Sequence, residues 1–302
     1  MNSNAPTAGI LFVVATPIGN ADDLSPRAIR ILAEADRVAC EDTRRTGAML
    51  AAHQIRRPML SYFEHNEDSR TPEIVARLRA GEKIALVTDA GTPAISDPGY
   101  RLVRAALDAG IRVSAVPGPS AAVAALSVAG IATNRFAFEG FLPARGGARR
   151  KHLESLAREP RTLVFYEAGR RLGATLAAMA ATLGDSREGA IVREITKTYE
   201  EIIRGALGDL ARRFAETPAL GEITIVVAGA GENEAPETAS PVSIEMLLAE
   251  GVSLKQASAI VAKLTGKRRR EIYQQAIKTR SSQKIMGDVE QGDVDDDDKQ
   301  SE

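Results

Sequence analysis

The sequence predicts an α/β protein built from two sheets, with a small helical module near its C-terminal end. Three observations carry this prediction. Residues 10–132 alternate short apolar runs with helical patterns, residues 133–229 alternate them less regularly, and residues 242–280 show helical patterns alone. Because regular strand–helix alternation is typical of a parallel sheet covered by helices, the first region is expected to form such a sheet.

The first predicted domain, residues 10–132, begins with the unbroken apolar run Ile10–Ala15, which is typical of a strand buried on both faces. Ser25-Pro26 then combines a capping residue with a proline at the first helical position, which predicts a helix start. The other predicted strands are Arg37–Cys40, Met59–Ser61, Ile84–Thr88 and Arg112–Ala115. The other predicted helices are Thr43–Ala52, Pro72–Ala80, Pro98–Ala109 and Ser120–Val128.

The second predicted domain, residues 133–229, has less regular strand spacing, and this favours a mixed sheet. Its predicted strands are Arg135–Glu139, Thr162–Tyr166, Ala190–Arg193, Glu201–Arg204 and Glu222–Val227. Its predicted helices are Arg149–Ala157, Arg171–Thr182 and Leu207–Phe214. Residues 230–241 lack periodicity and are rich in Gly, Glu, Pro and Ala, so they are interpreted as a linker.

Residues 242–280 resemble a helix-turn-helix unit. Ser243 is a candidate cap for a helix through Leu248, Ser253 for one through Lys263, and Lys267–Ile277 forms the third. Seven basic residues and one acidic residue lie between residues 263 and 280, whereas residues 281–302 hold two basic and eight acidic residues. This acidic tail and residues 1–9 are expected to be disordered.

Composition excludes several classes of protein. Net charge is −1 and Cys40 is the only cysteine, so neither a disulfide framework nor a thiolate metal cluster is expected. Residues 1–9 lack the basic and apolar regions of a signal peptide. Residues 121–132 form the longest Ala/Val-rich run, which is too short to span a bilayer. A soluble cytoplasmic protein without a metal site is the resulting interpretation.

Functional groups concentrate in the segments that follow the first five predicted strands. These segments are Thr16–Asn20, Glu41–Arg44, Glu64–Asn66, Asp89–Pro93 and Pro117–Ser120. Each one alone has the composition of an ordinary turn. Together they fall at the carboxyl ends of parallel strands, where open α/β sheets bind their ligands, so a ligand site is predicted at this edge.

The same loops narrow the class of ligand. They contain neither a P-loop nor a Gly-x-Gly-x-x-Gly fingerprint, which disfavours nucleoside triphosphates and dinucleotides. No His/Cys cluster has metal-ligand spacing. Glycine- and proline-rich loops with one fixed negative charge, Asp89, suit a neutral or cationic small ligand that is held by its shape.

The order of these motifs resembles the tetrapyrrole-methylase superfamily, and within it the small-subunit (16S) ribosomal RNA cytidine 2′-O-methyltransferases. The resemblance covers roughly residues 10–280. The segments that carry it are 11–20, 41–47, 89–100, 116–120, 138–143, 165–167 and 193–198, together with the basic C-terminal module. Two departures are Phe63, where the family pattern more often has His, and Thr88, where Ser is commoner.

The resemblance implies a homodimeric methyltransferase with a tetrapyrrole-methylase-like fold, in which S-adenosylmethionine binds between the two domains. By this resemblance Pro17 and Ile18 pack on the cofactor, Asp89 and Thr92 contact its polar groups, and the second domain closes over it. The implied cofactor-binding residues are Pro17, Ile18, Gly19, Asp89, Ala90, Gly91, Thr92, Pro93, Ser120, Ala121, Glu167, Gly221, Glu222 and Ile223.

A ribose 2′-hydroxyl is a poor nucleophile while protonated, so a positioned base is expected to accelerate its methylation by about 10²–10⁴-fold. The predicted catalytic residues are His65, Glu64, Asp42 and Lys197, with Glu41 and Glu167 as further candidate bases. His65 has the most suitable intrinsic pKa. Lys197 is alternatively expected to lower the pKa of the hydroxyl or to bind a phosphate, and Asp42 to pair only with Arg44.

The predicted RNA contacts depend on positive charge. The candidates are Arg44, Arg45, Arg149, Arg150, Lys151, Lys267, Arg268, Arg269 and Arg270. A solvated surface is the alternative interpretation of the basic run that ends at Lys151. The expected partners are small-subunit ribosomal RNA or the assembled subunit, and no membrane.

The sequence is compatible with two other functions. A small-molecule methylase acting on a tetrapyrrole would use the same cofactor loops, although it would have no need of the basic C-terminal module. A non-catalytic nucleic-acid-binding protein would use the helix-turn-helix, with the α/β part as a scaffold. Failure to bind the cofactor would favour the latter.

Overall fold

The computed structural model describes residues 9–215, 219–231, 244–265, 269–270, 272–274 and 276. The chain divides into two compact units, one that ends at Asn233 and one that begins at Glu234. Most of the predicted linker, the acidic tail and all but the last residue of the predicted disordered N-terminus lie outside the described residues. None of the helices described is both long enough and apolar enough to cross a membrane.

The first sheet of the larger unit is entirely parallel, as the strand–helix alternation predicts. Its strand order is β3-β2-β4-β1-β5. The strands are β1 Ile10–Val14, β2 Arg37–Cys40, β3 Met59–Ser61, β4 Lys83–Leu86 and β5 Arg112–Val116. Leu11 of β1, which lies between β4 and β5, pairs with Ile84 on one side and Val113 on the other. Strand β1 is apolar along its whole length, as expected for a strand whose two faces are both covered by helices.

The helices that follow these strands are α1 Pro26–Glu34, α2 Thr43–Ala52, α3 Glu67–Arg79, α4 Tyr100–Asp108 and α5 Ala121–Ala129. Ser25 caps α1, since its side chain accepts a hydrogen bond from the Ala28 amide at 3.1 Å. Helix α3 begins five residues before the predicted start at Pro72. The prediction was wrong there because acidic residues in the first turn, Glu67 and Asp68, favour the earlier start.

The second sheet is mixed, as predicted, with the order β6-β7-β10-β8-β9. Its strands are β6 Phe136–Phe141, β7 Thr162–Ala168, β8 Glu188–Arg193, β9 Glu201–Ala206 and β10 Glu222–Val227. Only β6 and β7 pair in parallel; the other three pairings are antiparallel. The helices α6 Gly146–Leu156, α7 Leu172–Leu183 and α8 Leu207–Arg213 accompany it.

Helix α5 joins the two sheets. It follows β5 of the first sheet, yet its buried residues pack against strands of the second sheet. The helix contributes Ala122, Ala125, Leu126 and Ala129 to this cluster, and the sheet contributes Val164, Ala190, Val192 and Val226. Small alanine side chains let the helix approach the sheet closely, so the carboxyl edge of the first sheet and one end of the second border the same space.

The second unit contains α9 Ile244–Ala249 and α10 Leu254–Thr265, followed by further helical residues at 269–270, 272–274 and 276. Ser253 caps α10 as predicted: its Oγ accepts a 3.4 Å hydrogen bond from the Gln256 amide. Ala257 and Ser258 are buried in this unit. The predicted cap Ser243 lies outside the described residues.

Candidate methyl-donor site

A cavity of about 310 Å³ lies between the carboxyl edge of the first sheet and the end of the second. This volume is within the range of small-molecule sites, roughly 300–1,000 Å³. From the first sheet it is lined by Ile18, Ala90, Gly91, Thr92, Ile95, Ser96, Asp97, Ser120 and Ala121. From the second it is lined by Phe141, Tyr166, Glu167, Ala168, Val192, Glu194, Ile195, Lys197, Gly221, Glu222, Ile223 and Thr224.

A second, more open cavity of about 350 Å³ borders the first. The first is called the enclosed cavity below, and the second the adjoining cavity. Four residues line both cavities: Ile18, Ala90, Lys197 and Glu222. The remaining lining residues of the adjoining cavity are Thr16, Pro17, Gly19, Ala21, Arg45, Met49, Ala52, His53 and Asp89. The two spaces therefore meet at a boundary that carries one ammonium and one carboxylate.

Backbone hydrogen bonds hold the first-sheet loops in a fixed arrangement. Thr16 and Gly91 exchange amide–carbonyl bonds of 2.9 and 3.1 Å. The Thr92 hydroxyl donates to the Pro119 carbonyl at 3.2 Å, which ties the loop after β4 to the loop after β5. Gly91 has φ +85°, a conformation that glycine adopts without the steric cost of a Cβ. These loops form a rigid surface for a ligand.

Asp89 is oriented by two donors. Its carboxylate accepts a hydrogen bond from the Asp42 amide at 3.1 Å and one from the Arg45 guanidinium at 3.3 Å. Both partners lie at the start of α2, so this carboxylate also links the loop after β4 to the loop after β2. It lines the adjoining cavity rather than the enclosed one.

On the second-sheet side, Lys197 lies between two carboxylates. Its Nζ is 2.9 Å from Glu194 Oε1 and 3.1 Å from Glu222 Oε2. Partial burial lowers the pKa of Lys197, but its hydrogen bonds to Glu194 and Glu222 outweigh this effect and raise the pKa overall. A hydrogen bond from the Glu222 amide, followed by the one from Lys197, lowers the pKa of Glu194. Lys197 is therefore a cation at neutral pH.

Gly221 is required beside this cluster. Its φ is +91°, and a Cβ at this position would overlap the Glu194 carboxylate. Gly19 has a similar role on the opposite loop, where a Cβ would overlap the Lys197 side chain. The two glycines thus allow the main chain to approach the cluster closely.

Glu167 is 2% exposed. The Thr175 hydroxyl donates to one of its oxygens at 2.7 Å, and the Ala168 amide donates to the other at 2.8 Å. Arg171 Nε lies 3.2 Å from the latter oxygen. A buried carboxylate that is bound by three donors is a structural anchor for the end of β7.

Two aromatic residues, Tyr166 and Phe141, line the enclosed cavity. The Tyr166 hydroxyl accepts a 3.2 Å hydrogen bond from the Ala122 amide in the first turn of α5. The Tyr166 ring makes edge contacts with Phe138 at 4.9 Å and Phe141 at 5.6 Å between ring centroids. Such an apolar surface beside exposed main-chain groups suits a flat heterocycle with a polar rim.

Comparison with known proteins identifies the family. The sequence model for tetrapyrrole (corrin/porphyrin) methylases matches residues 11–211. The model for the RsmI C-terminal HTH domain matches residues 244–280. This chain belongs to the tetrapyrrole methylase family.

Relatives of known name are similar over nearly their whole length. The ribosomal RNA small subunit methyltransferase I of Xylella fastidiosa is 48% identical over 88% of this chain and 98% of its own. The protein of the same name from Haemophilus influenzae is 44% identical over 88% of this chain and 95% of its own. The one from Escherichia coli O157:H7 is 42% identical over 89% and 95%.

Solved structures support the fold of the larger unit. The uroporphyrin-III-C-methyltransferase of Thermus thermophilus has a TM-score of 0.52 and 21% identity, over 73% of this chain and 94% of that one. The methyltransferase CobJ has a TM-score of 0.57 and 19% identity, over 74% and 95%. The predicted fold class is confirmed.

As a member of this methylase family, the chain is an S-adenosylmethionine-dependent methyltransferase, as predicted. The enclosed cavity fits this cofactor. Its volume lies at the lower end of the range for small-molecule sites, its Tyr166–Phe141 surface suits the adenine ring, and carboxylates near its boundary suit a cationic sulfonium and an ammonium group. Among the described residues, no group of three or more His, Cys, Asp or Glu side chains is placed to hold a metal ion.

The structure places the predicted cofactor residues in one region. All of them except Pro93 line one or both cavities; Pro17, Gly19 and Asp89 line only the adjoining one. Sequence reasoning missed Asp97, Phe141, Tyr166, Glu194 and Ile195 as lining residues. All five fall within the segments that carry the family resemblance, but no local pattern shows which residues of those segments face a ligand.

Among the predicted catalytic residues, only Lys197 lines the cavities; Asp42, Glu64 and His65 line neither. Asp42 caps α2, and its hydrogen bonds with Arg44 lower its pKa to about 2, which makes it a weak proton acceptor. Glu64 and His65 are exposed beyond β3, an edge strand of the sheet. The strand–helix periodicity placed most of these groups at the carboxyl ends of the strands. It did not indicate how far each group lies from the cavities.

The predicted RNA-binding residues that the structure describes belong to α2, α6 and the second unit. Arg45 lines the adjoining cavity, and Arg44 pairs with Asp42 at 2.9 Å. On α6, Arg150 pairs with Glu154 at 3.0 Å, Lys151 is exposed and Arg149 is half-buried. Arg269 and Arg270 line a further cavity together with Lys255 and Tyr273. Lys267 and Arg268 lie outside the described residues.

Proposed function

We propose that this chain transfers a methyl group from S-adenosylmethionine to the ribose 2′-hydroxyl of a cytidine in small-subunit (16S) ribosomal RNA. The relatives at 42–48% identity are named as methyltransferases of small-subunit ribosomal RNA. The observation that carries the proposal for this chain is the pair of adjoining cavities. One is enclosed and partly apolar, whereas the other is open and bordered by Arg45 and Lys197.

In this proposal the enclosed cavity holds the cofactor. Ile18 and Tyr166 contact its apolar surface, and the main chain of the loops after β4 and β5 binds its polar groups. The cofactor supplies a methyl group on a sulfonium, which needs little chemical assistance. The contribution of the protein is to align the nucleophile with the methyl carbon and to exclude water.

The adjoining cavity receives the nucleotide. Arg45 contacts a phosphate, since its side chain is 70% exposed and its pairing with Asp89 is a weak surface ion pair. Lys197 lies at the boundary, where it faces both ligands. Because its pKa is raised, it remains protonated and stabilises negative charge on the ribose oxygen or on a phosphate; it does not act as the base.

The basic C-terminal unit supplies additional RNA affinity. Arg269 and Arg270 provide charge beside the Tyr273 ring, a combination suited to phosphates and an unstacked base. Removal of residues 241–302 is expected to weaken binding to the small subunit and to flatten its salt dependence, because fewer counterions are released. Unchanged affinity and unchanged salt slope would exclude this unit from RNA recognition.

The deciding experiment is radiolabelled methyl transfer to unmodified small ribosomal subunits and to free small-subunit RNA, followed by mapping of the labelled nucleotide. Label on the ribose of a cytidine is expected. Label on a base would contradict the 2′-O assignment but retain methyl transfer. Transfer to a tetrapyrrole precursor but not to RNA would favour the small-molecule methylase, and failure to bind the cofactor would favour a non-catalytic RNA-binding protein.

The family resemblance supports the further proposal that the chain forms a homodimer, which light scattering coupled to gel filtration tests directly. We also propose, from its composition, that the chain acts in the cytoplasm, and fractionation of cells would check this. The boundaries proposed from the sequence, with domains at 10–132, 133–229 and 242–280, would be tested by limited proteolysis.

A further inference from the structure

Most ionisable side chains that line the enclosed cavity are engaged by other residues. Glu167 is bound by three donors. Glu194 accepts two hydrogen bonds through one oxygen, and its pKa is lowered. Glu222 pairs with Lys197, whose own pKa is raised. Burial raises the pKa of Tyr166, so its hydroxyl stays protonated at neutral pH.

Asp97 differs from all of these. It is half-buried and lines the enclosed cavity, and no cation in the described part of the chain forms an ion pair with it. The charged groups that interact with it are Glu41 after β2 and Asp89 after β4, and Tyr166 of β7 lines the same cavity. Asp97 is therefore a carboxylate of the enclosed cavity without an ion pair among the described residues, and it lies close enough to Asp89 of the adjoining cavity for the two charges to interact.

The loop that carries Asp97 has an unusual backbone. Ala94 has φ +70°, Ser96 has φ +62°, and Gly99 has φ +138°. Left-handed conformations at non-glycine residues are strained and persist where the surrounding structure imposes them, most often at active sites. The Gly99 amide donates to Glu67 Oε1 at 2.9 Å, and the Ala94 amide to the Pro98 carbonyl at 3.2 Å. These bonds hold the loop, and Asp97 with it, against the cavity.

We propose that Asp97 is the general base that removes the proton from the ribose 2′-hydroxyl. This inference rests on the proposed function and names a catalytic residue for it. The hydroxyl proton passes to the Asp97 carboxylate, and the oxygen lone pair forms the new bond to the methyl carbon. The bond from that carbon to sulfur breaks, and its electron pair remains on the sulfur. The proton of Asp97 then passes to water.

The electrostatic environment supports this role. Burial, followed by the negative charge of Glu41, raises the pKa of Asp97 to about 6, although a hydrogen bond from Thr88 opposes the shift. A base with a pKa closer to neutral pH is still ionised at pH 7.5 and accepts a proton more readily than an ordinary aspartate. When Asp97 accepts a proton, its negative charge is neutralised, and this also relieves its repulsion with Glu41 and Asp89.

The first test compares the wild-type chain with Asp97→Asn in single-turnover methylation of the small subunit at saturating cofactor, from about pH 5 to about pH 9. The wild-type rate is expected to rise to a plateau with a bend near about pH 6. In the variant the rate falls about 10²–10⁴-fold and the bend disappears. Cofactor affinity, measured by calorimetry, stays within a few-fold of wild type. The matched control is Asp108→Asn, on the exposed side of α4, which should leave the rate and the bend unchanged.

A second readout needs neither cofactor nor RNA. A carboxyl whose pKa is raised by folding destabilises the folded state at pH values above that pKa, and this cost vanishes below the unfolded pKa. Asp97→Asn removes the charge, so the Tm of the cofactor-free variant should exceed that of wild type by roughly 2–4 °C at pH 8. This difference should disappear near pH 4.

The outcomes separate the two proposals. If wild type labels no ribose, the proposed function and the role of Asp97 both fail. If wild type labels the ribose but the variant retains the bend and at least a tenth of the rate, only the role of Asp97 fails. A variant that keeps the bend and loses cofactor affinity instead would show that Asp97 binds the methyl donor, which also overturns the inference.

Discussion

The two sheets line the enclosed cavity with different kinds of group. The loops of the first sheet contribute mainly backbone groups and the carboxylate of Asp97, which has no ion pair among the described residues. The second sheet contributes charged side chains that bind one another. Thr16, Gly91 and Thr92 form main-chain contacts between loops. Glu194, Lys197 and Glu222 form a closed network of ion pairs. The difference indicates that the first sheet shapes the site and deprotonates the substrate, while the second sheet supplies a fixed positive charge.

Among the variants that test this difference between the sheets, Lys197→Met should reduce methyl transfer most. It leaves Glu194 and Glu222 without their shared cation and removes positive charge from the boundary of the two cavities. Methyl transfer should fall about 10²–10³-fold in kcat, the usual effect of losing one positioned donor. Lys197→Arg should recover part of the rate. Unchanged kcat with weakened cofactor binding would instead assign Lys197 to the donor site.

Gly221→Val tests how closely the main chain must approach the network. The Cβ of valine would overlap Glu194, and φ +91° is unfavourable for a β-branched residue. Displacement of the network by an ångström should lower the rate of methyl transfer about 10²-fold. Gly110→Val is the matched control, since Gly110 has φ +71° with no atom within 4 Å of the added Cβ. Equal losses in both variants would attribute the effect to backbone strain.

Thr175→Val tests the buried anchor of the second sheet. It removes the hydroxyl that donates to Glu167 at 2.7 Å, so one oxygen of a buried carboxylate loses its partner. The free energy of unfolding should fall by about 1–3 kcal/mol in urea denaturation. Thr182→Val on the same helix serves as the control, and similar losses in the two variants would exclude a specific role for the hydrogen bond.

Arg45→Ala should have the smallest effect, and it should reduce the affinity for RNA without changing the affinity for the cofactor. The Asp42 amide still holds Asp89, so cofactor affinity should remain as in wild type. Affinity for RNA should fall a few-fold, and the salt slope should decrease by about 1, as expected for one lost phosphate contact. The exposed Arg30 of α1 provides a control substitution to Ala. Loss of cofactor affinity in Arg45→Ala would contradict the division between the cavities.

Strand and helix periodicity were sufficient to predict the fold, including a parallel first sheet and a mixed second one. They worked because β1 is apolar throughout, the other interior strands are mostly apolar, and helices have clear start signals such as Ser25-Pro26. The start of α3 was missed because a proline within a helix resembles a first-turn proline.

The site was predicted at the level of loops but not of individual side chains. Most predicted cofactor residues line the cavities, because the carboxyl edge of a parallel sheet collects its loops. The environment of Asp97 could not be predicted, since it depends on Glu41 and Asp89 from separate loops and on left-handed residues that are not glycine. His65 was favoured for its intrinsic pKa, a property that carries no information about position.

Helix α5 has a consequence for attempts to divide the chain. A cut between Ala132 and Thr133 would separate the helix from the sheet against which its buried residues pack. Each fragment would then expose an apolar face, one on α5 and one on the sheet around Val164 and Val226. Two such fragments, produced together, should reassemble and restore methylation. The packing of α5 therefore makes the Ala132–Thr133 bond a suitable point at which to split the enzyme, so that methylation activity reports the association of the two fragments.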